Sequence, residues 1–117
     1  MEPFDWRTGV HVLLGGAGFL GANLSRALLG RGARVLVLDS LVTGSLRNVA
    51  GLRDDPHFEF RRGDATALLR AHPVGAPVSV VWNLAALASP LWYFSRPMET
   101  AWAGADVQRA ALDFAAD

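Results

Sequence analysis

Residues 11–32, HVLLGGAGFLGANLSRALLGRG, set an apolar run, a cluster of glycines and an amphipathic run in direct succession. The apolar, β-branched run over residues 10–14 is typical of a buried strand that glycine ends. Residues 17–29 carry apolar side chains at helical spacing, which predicts a helix with one buried stripe. The apolar members of that stripe are Phe19, Leu20, Ala22, Leu24, Ala27 and Leu28. Gly30 and Gly32 are expected to end the helix.

The rest of the chain repeats this alternation of strand and helix. Further strands are predicted at residues 34–39, 58–64 and 78–85, and a helical segment is predicted from Pro97 to the terminus. A helix must carry the chain back before the next strand can pair, so the strands run parallel. The sequence therefore predicts an α/β fold, an incomplete doubly wound parallel sheet of about four strands in the order 3-2-1-4. Helices are expected on both faces, with the ligand crevice between strands 1 and 4.

The glycines fit two overlapping versions of a dinucleotide-binding pattern. Gly16-x-Gly18-x-x-Gly21 is the narrower version, and Gly15-x-x-Gly18-x-x-Gly21 is the wider one. The first glycine allows a tight turn, Gly18 lets the backbone approach a pyrophosphate, and Gly21 lets the helix sit close to the strand. The helix start then offers free N–H groups to the phosphates. A structural turn with close helix packing would use the same residue type and stays open as an alternative.

An acidic residue at the end of the second strand favours the dinucleotide interpretation. Asp39 follows Gly21 by 18 residues, close to the spacing of roughly 20 at which a carboxylate meets the adenosine ribose hydroxyls. Such a carboxylate would repel a 2′-phosphate, so the pattern favours NAD over NADP. No lysine follows the glycines, which excludes a triphosphate-binding loop of the Walker type.

Composition excludes several other classes of function. The 117 residues include 51% hydrophobic residues, and 11 basic side chains balance 11 acidic ones, so neither nucleic acid nor an anionic membrane is an expected partner. Cysteine is absent, and His11, His57 and His72 lack metal-ligand spacing, so no metal site is predicted. No signal peptide or run of about 18 apolar residues is found, and we expect a cytoplasmic protein.

Four blocks of this sequence resemble the extended short-chain dehydrogenases, the NAD-dependent epimerase/dehydratase family. They are LLGGAGFLGANL, VLDSLVTGSLRNV, FEFRRGDAT and VVWNLAALASPLWYFSRPMET, in the order that the family has. The Ala-Ser-Pro at residues 88–90 makes the fourth block look most like UDP-glucuronate decarboxylases. The resemblance implies that residues 1–117 are the NAD-binding, Rossmann-type N-terminal domain of a nucleotide-sugar enzyme.

The resemblance also implies roles for individual residues. Those expected to bind the cofactor are Gly15, Gly18, Phe19, Leu20 and Gly21 at the pyrophosphate, Asp39 at the ribose with Ser40, Thr43 and Gly44 nearby, Asp64 and Ala65 at the adenine, and Leu84, Ala85 and Ala86 under the nicotinamide. Those expected to begin the sugar-nucleotide pocket are Ser89, Pro90 and Tyr93. Structural alternatives stay open: Asp64 as a turn residue, and residues 84–86 as core.

The family's catalytic pair does not occur in this sequence. The family oxidises the sugar at C4 with a Tyr whose pKa is lowered by a Lys four residues later. Tyr93 is the only tyrosine here, position 97 is proline, and the chain has no lysine. We therefore expect a part of a longer enzyme, ending before the family's fifth strand, with an open sheet edge compatible with a homo-oligomer. Alternatives are a catalytically inactive dinucleotide sensor or interaction module, and a fold that binds no ligand.

Overall fold

The computed structural model describes residues 4–41, 45–71, 74–84, 98, 105 and 108–116. Its strands are β1 (Val10–Leu14), β2 (Arg34–Asp39), β3 (Phe58–Arg62) and β4 (Val78–Asn83). Its helices are α1 (Phe19–Gly30), α2 (Leu46–Val49), α3 (Ala65–Arg70) and α4 (Gln108–Ala116), and a short 3-10 turn follows α2 at Ala50–Leu52. No helix in this part of the chain is long and apolar enough to span a bilayer.

The four strands form one sheet in the order β3-β2-β1-β4, and every neighbouring pair is parallel. This confirms the predicted strand order. The chain moves outward from β1 through β2 to β3 and then crosses to the other side of β1 to form β4. The direction of winding therefore reverses between β1 and β4, which is where open α/β sheets form their ligand crevice.

Helices cover both faces of the sheet, as predicted. On one face Val12 and Leu14 of β1 pack with Leu69 of α3 and Ala111 of α4. On the opposite face Leu13 packs in a second core. The members of that second core also include Ala22 and Leu28 of α1, Val35 and Val37 of β2, Val49 of α2 and Phe58 of β3. Successive side chains of β1 alternate between the two cores because a strand has a period of two.

The buried face of α1 differs from the predicted stripe. The buried residues are Gly21, Ala22, Ser25 and Leu28, whereas Phe19 and Leu20 are 79% and 70% exposed. Gly21 lies against the Gly16 backbone, so the small residues of α1 face inward and the first-turn side chains lie outside. The prediction that Phe19 and Leu20 belong to the buried stripe was therefore wrong, and Ala27 is exposed as well.

Two helix boundaries have clear physical causes. α1 begins at Phe19, two residues later than predicted, because Ala17 makes hydrogen bonds to residues outside the helix. Its C-terminus is closed by Gly32, which has a φ of +82°. The Gly32 N–H donates to the Leu29 carbonyl, and the Ala33 N–H donates to the Leu28 carbonyl, each at 3.0 Å. This is a Schellman motif, in which glycine readily adopts the left-handed conformation.

Candidate functional site

The carboxyl ends of all four strands are joined to one another by backbone hydrogen bonds. The Gly15 N–H donates to the Leu38 carbonyl (2.8 Å), the Leu84 N–H to the Leu14 carbonyl (2.8 Å), and the Gly63 N–H to the Asp39 carbonyl (3.0 Å). The segments that follow the strands therefore start from one edge of the sheet. The glycine loop after β1, the acidic end of β2, and Leu84 after β4 all lie at this edge.

Three of the four loop glycines are required by the protein's own backbone and packing. Gly15 has a φ of +77°, a conformation that side chains rarely adopt. A Cβ on Gly16 would lie 2.8 Å from both methyl groups of Val37. A Cβ on Gly21 would overlap the Gly16 backbone, with its carbonyl carbon and oxygen at 2.7 Å. These glycines make the turn and bring α1 close to the end of β1.

Gly18 differs, because nothing in the described structure requires a glycine there. A Cβ at this position would meet only the Gly15 carbonyl oxygen, at 3.7 Å, and the φ of −78° suits any residue. Gly18 is the N-cap of α1, and among the described residues no side chain caps this helix. The N–H groups of a first turn have no acceptor inside their own helix, so those of α1 require acceptors from outside it. Phe19 and Leu20 project outward from the same turn.

The Asp39 carboxylate is already bound to the loop and to its own turn. Its Oδ2 accepts a hydrogen bond from the Ala17 N–H at 2.9 Å, and its Oδ1 accepts one from the Leu41 N–H at 2.7 Å. The residue is 8% exposed. Leu41 has a φ of +66°, which is uncommon for a residue other than glycine. An ionised carboxylate has about four lone-pair sites, so Asp39 retains capacity to accept from a ligand hydroxyl.

Asn48 completes the support of the glycine loop and was missed by the sequence analysis. Its side-chain Nδ2 donates to the Ala17 carbonyl at 2.7 Å, and the Ser45 N–H donates to the same oxygen at 3.1 Å. Asn48 lies 31 residues from Ala17 along the chain. In the sequence Asn48 is only one polar residue of the LRNV segment, so no local pattern indicated its contact with Ala17.

Asp64 is the N-cap of α3, a structural role that the sequence analysis did not assign to it. Its Oδ2 accepts a hydrogen bond from the Ala67 N–H at 3.1 Å, and its side chain is exposed. Ala65 is buried in the core that α3 shares with the sheet. The preceding Gly63 is bonded to the Asp39 carbonyl, so the start of α3 lies at the same sheet edge as the glycine loop. The capping role occupies only one of the two carboxylate oxygens.

The remaining predicted site residues fall in two groups. Ser40 is exposed directly after Asp39, and Leu84 directly follows β4. Those that lie outside the described residues are Thr43, Gly44, Ala85, Ala86, Ser89, Pro90 and Tyr93. Among the residues that the structure does describe, no cluster of three or more histidine, aspartate or glutamate side chains could hold a metal ion.

A doubly wound parallel sheet with a glycine turn at the end of β1 and an acid at the end of β2 defines a Rossmann-type α/β protein. The sequence profile of the NAD dependent epimerase/dehydratase family matches residues 11–117. The chain belongs to this family, which confirms the resemblance.

Relatives with similar sequences are UDP-glucuronic acid decarboxylases. UDP-glucuronic acid decarboxylase 1 of Arabidopsis thaliana is 38% identical over 89 residues, which are 76% of this chain and 19% of that protein. The Danio rerio protein of the same name is 34% identical over 89 residues, 76% of this chain and 20% of that protein. The chain therefore spans about a fifth of the length of these relatives.

Solved structures of this family share the fold. A dTDP-glucose 4,6-dehydratase from Streptomyces venezuelae, solved with NAD bound, has a TM-score of 0.79 at 27% identity, covering 91% of this chain and 35% of that chain. A UDP-glucose 4-epimerase from Brucella ovis in complex with NAD has a TM-score of 0.71 at 26% identity, covering 92% of this chain and 32% of that chain. The chain thus matches about a third of each structure.

Proposed function

We propose that this chain binds NAD at the carboxyl edge of its sheet. The observation that carries the proposal concerns Gly18: the packing of the described residues leaves room for a side chain there, yet the residue is glycine. The uncapped start of α1 supplies N–H groups and the positive end of a helix dipole, which together suit a diphosphate. The residues present therefore fit the dinucleotide that the family uses.

The proposed contacts extend along the sheet edge from the glycine loop. Asp39 accepts from the adenosine ribose with its remaining lone pairs, and Asp64 accepts from the adenine amino group with the oxygen that does not cap α3. The other residues that we propose to contact the cofactor are Gly15, Phe19, Leu20, Gly21, Ser40, Thr43, Gly44, Ala65, Leu84, Ala85 and Ala86. The exposure of Phe19 and Leu20 supports their place beside the ligand.

We propose that the protein acts on a nucleotide sugar, a UDP-sugar by similarity to its relatives. When bound, NAD supplies the acceptor for a hydride from a sugar carbon. In this chain Ser89, Pro90 and Tyr93 begin the sugar-nucleotide pocket. We assign no catalytic residue within these 117 residues, because they contain no Tyr-x-x-x-Lys pair.

Calorimetric titration of the folded protein with NAD and NADP tests the cofactor proposal. We expect NAD to bind and NADP to bind at least about tenfold more weakly, since Asp39 repels a 2′-phosphate. Asp39→Asn should weaken NAD binding and reduce the difference in affinity between NAD and NADP. Asp54→Asn, which removes an exposed carboxylate after α2, is the matched control. Folded wild-type protein that gives no heat with NAD would contradict the proposal.

A second candidate is a module that binds the dinucleotide without turning over a substrate; these 117 residues contain no lysine. The reading frame that follows codon 117 separates the two candidates. An in-frame fifth strand followed by a Tyr-x-x-x-Lys pair supports an enzyme, whereas a stop codon directly after codon 117 supports the module.

A further inference from the structure

The carbonyl of Ala17 is held away from α1 by two donors. It accepts from Asn48 Nδ2 at 2.7 Å and from the Ser45 N–H at 3.1 Å, while the Ala17 N–H donates to Asp39. Ala17 is fully buried. The N–H and the carbonyl of Ala17 are therefore both bonded to residues outside the glycine loop.

This arrangement decides where α1 begins. The first bond of the helix runs from the Ala22 N–H to the Gly18 carbonyl at 2.9 Å. One residue earlier, the Ala17 carbonyl would be the acceptor for the Gly21 N–H, since helical bonds join residues four apart. A released Ala17 carbonyl would therefore lengthen α1 by one residue and occupy a donor of the first turn.

We infer that Asn48 is a positioning residue for the dinucleotide: it holds the Ala17 carbonyl out of α1 and so keeps the Gly21 N–H free for the diphosphate. The inference rests on the proposed function. An asparagine suits this task because a carbonyl oxygen can only accept, and the side-chain amide supplies a donor. An aspartate of the same shape would present a carboxylate to that oxygen.

Asn48 is itself held in place by α1 and by its own turn. Arg26 Nη2, on α1, donates to the Asn48 carbonyl at 2.8 Å, and the Asn48 N–H donates to the Ser45 carbonyl at 3.0 Å. Ser45 is the N-cap of α2, and its Oγ accepts from the Arg47 N–H at 3.2 Å. The short helix α2, which is bonded to α1, thus positions the side-chain amide of Asn48 against the Ala17 carbonyl.

Three variants test the inference. Asn48→Ala removes the donor, Asn48→Asp keeps the shape without the donor at neutral pH, and Arg47→Ala changes an exposed neighbour on the same helix. NAD affinity is measured by calorimetry at neutral pH. In ligand-free protein, NMR measures the scalar coupling across a hydrogen bond between the Gly21 nitrogen and the Ala17 carbonyl carbon.

We expect both Asn48 variants to bind NAD about tenfold more weakly than the wild type, and Arg47→Ala to stay within about twofold. The coupling should be absent in the wild type and present in Asn48→Ala. A role in packing alone would leave Asn48→Asp close to the wild type, and that result would overturn the inference. Wild-type protein that does not bind NAD would overturn the proposed function instead. The coupling would still show whether Asn48 prevents a hydrogen bond between the Gly21 N–H and the Ala17 carbonyl.

Discussion

Two helices begin at the same edge of the sheet, and they begin in opposite ways. α3 follows β3 and is capped by Asp64, whose carboxylate accepts from the Ala67 N–H. α1 follows β1 and has Gly18 as its N-cap, and in the part of the chain that the structure describes no side chain caps it. α3 thus satisfies one of its terminal donors with the side chain of its own N-cap, whereas no side chain of the described residues does so for α1. The start of α1 therefore offers the proposed dinucleotide donors that a cap would otherwise occupy.

Tertiary contacts hold the start of the uncapped helix. Gly21 rests on the Gly16 backbone, and the Ala17 peptide groups are bound by Asp39 and Asn48. A capping side chain is worth about 1 kcal/mol to a helix, and these tertiary contacts replace it. At the start of α3, by contrast, the cap is the side chain of Asp64, the residue directly before the helix.

The largest effect is expected where α1 meets the glycine loop. Gly21→Ala places a methyl group inside the Gly16 backbone, which cannot move without breaking the turn. We expect the free energy of unfolding to fall by about 3 kcal/mol, at the upper end of overpacking costs. Urea denaturation measures the change.

Gly30→Ala is the matched control for this substitution. Gly30 is the last residue of the same helix, and a Cβ there would meet nothing within 4 Å. Stability should rise by up to about 0.5 kcal/mol, because alanine restricts the unfolded chain. An equal response of the two variants would show that the contact between Gly21 and Gly16 is not tight.

Gly18→Ala should separate ligand binding from stability. The added methyl group meets no atom of the described residues closer than 3.7 Å, so we expect stability to change by less than about 1 kcal/mol. In the proposed complex the same methyl group occupies the space of the diphosphate. NAD affinity measured by calorimetry should fall at least about tenfold. Unchanged affinity in a stably folded variant would remove Gly18 from the site.

Local patterns predicted the strands well because burial on both faces leaves a continuous apolar run. β1 and β2 have the predicted bounds, and the strand order followed from the alternation of elements. β3 and β4 each end two residues before the predicted position. Gly63 and Asp64, the last two residues of FEFRRGD, lie after the end of β3. Leu84 lies after the end of β4, although its N–H still donates to the Leu14 carbonyl.

The start of α1 could not be predicted, because contacts far apart in sequence decide it. Ala17 is apolar and a good helix former, so its sequence context favours a helical residue. Asn48 and Asp39 bind its peptide groups from 31 and 22 residues away. The fourfold glycine pattern located the loop, but it could not show that Gly16 and Gly21 serve packing while Gly18 is left open.

The smallest expected effect concerns the capped helix and the proposed second role of Asp64. Asp64→Ala removes the cap from α3 and should lower stability by about 1 kcal/mol, while Asp64→Ser keeps a capping oxygen and should restore most of it. Serine is too short to reach the adenine amino group as well. If Asp64 also binds adenine, both variants should lose a few-fold in NAD affinity. Full affinity in Asp64→Ser would show that this carboxylate only caps α3, and that the start of α1 binds the cofactor without help from its capped neighbour.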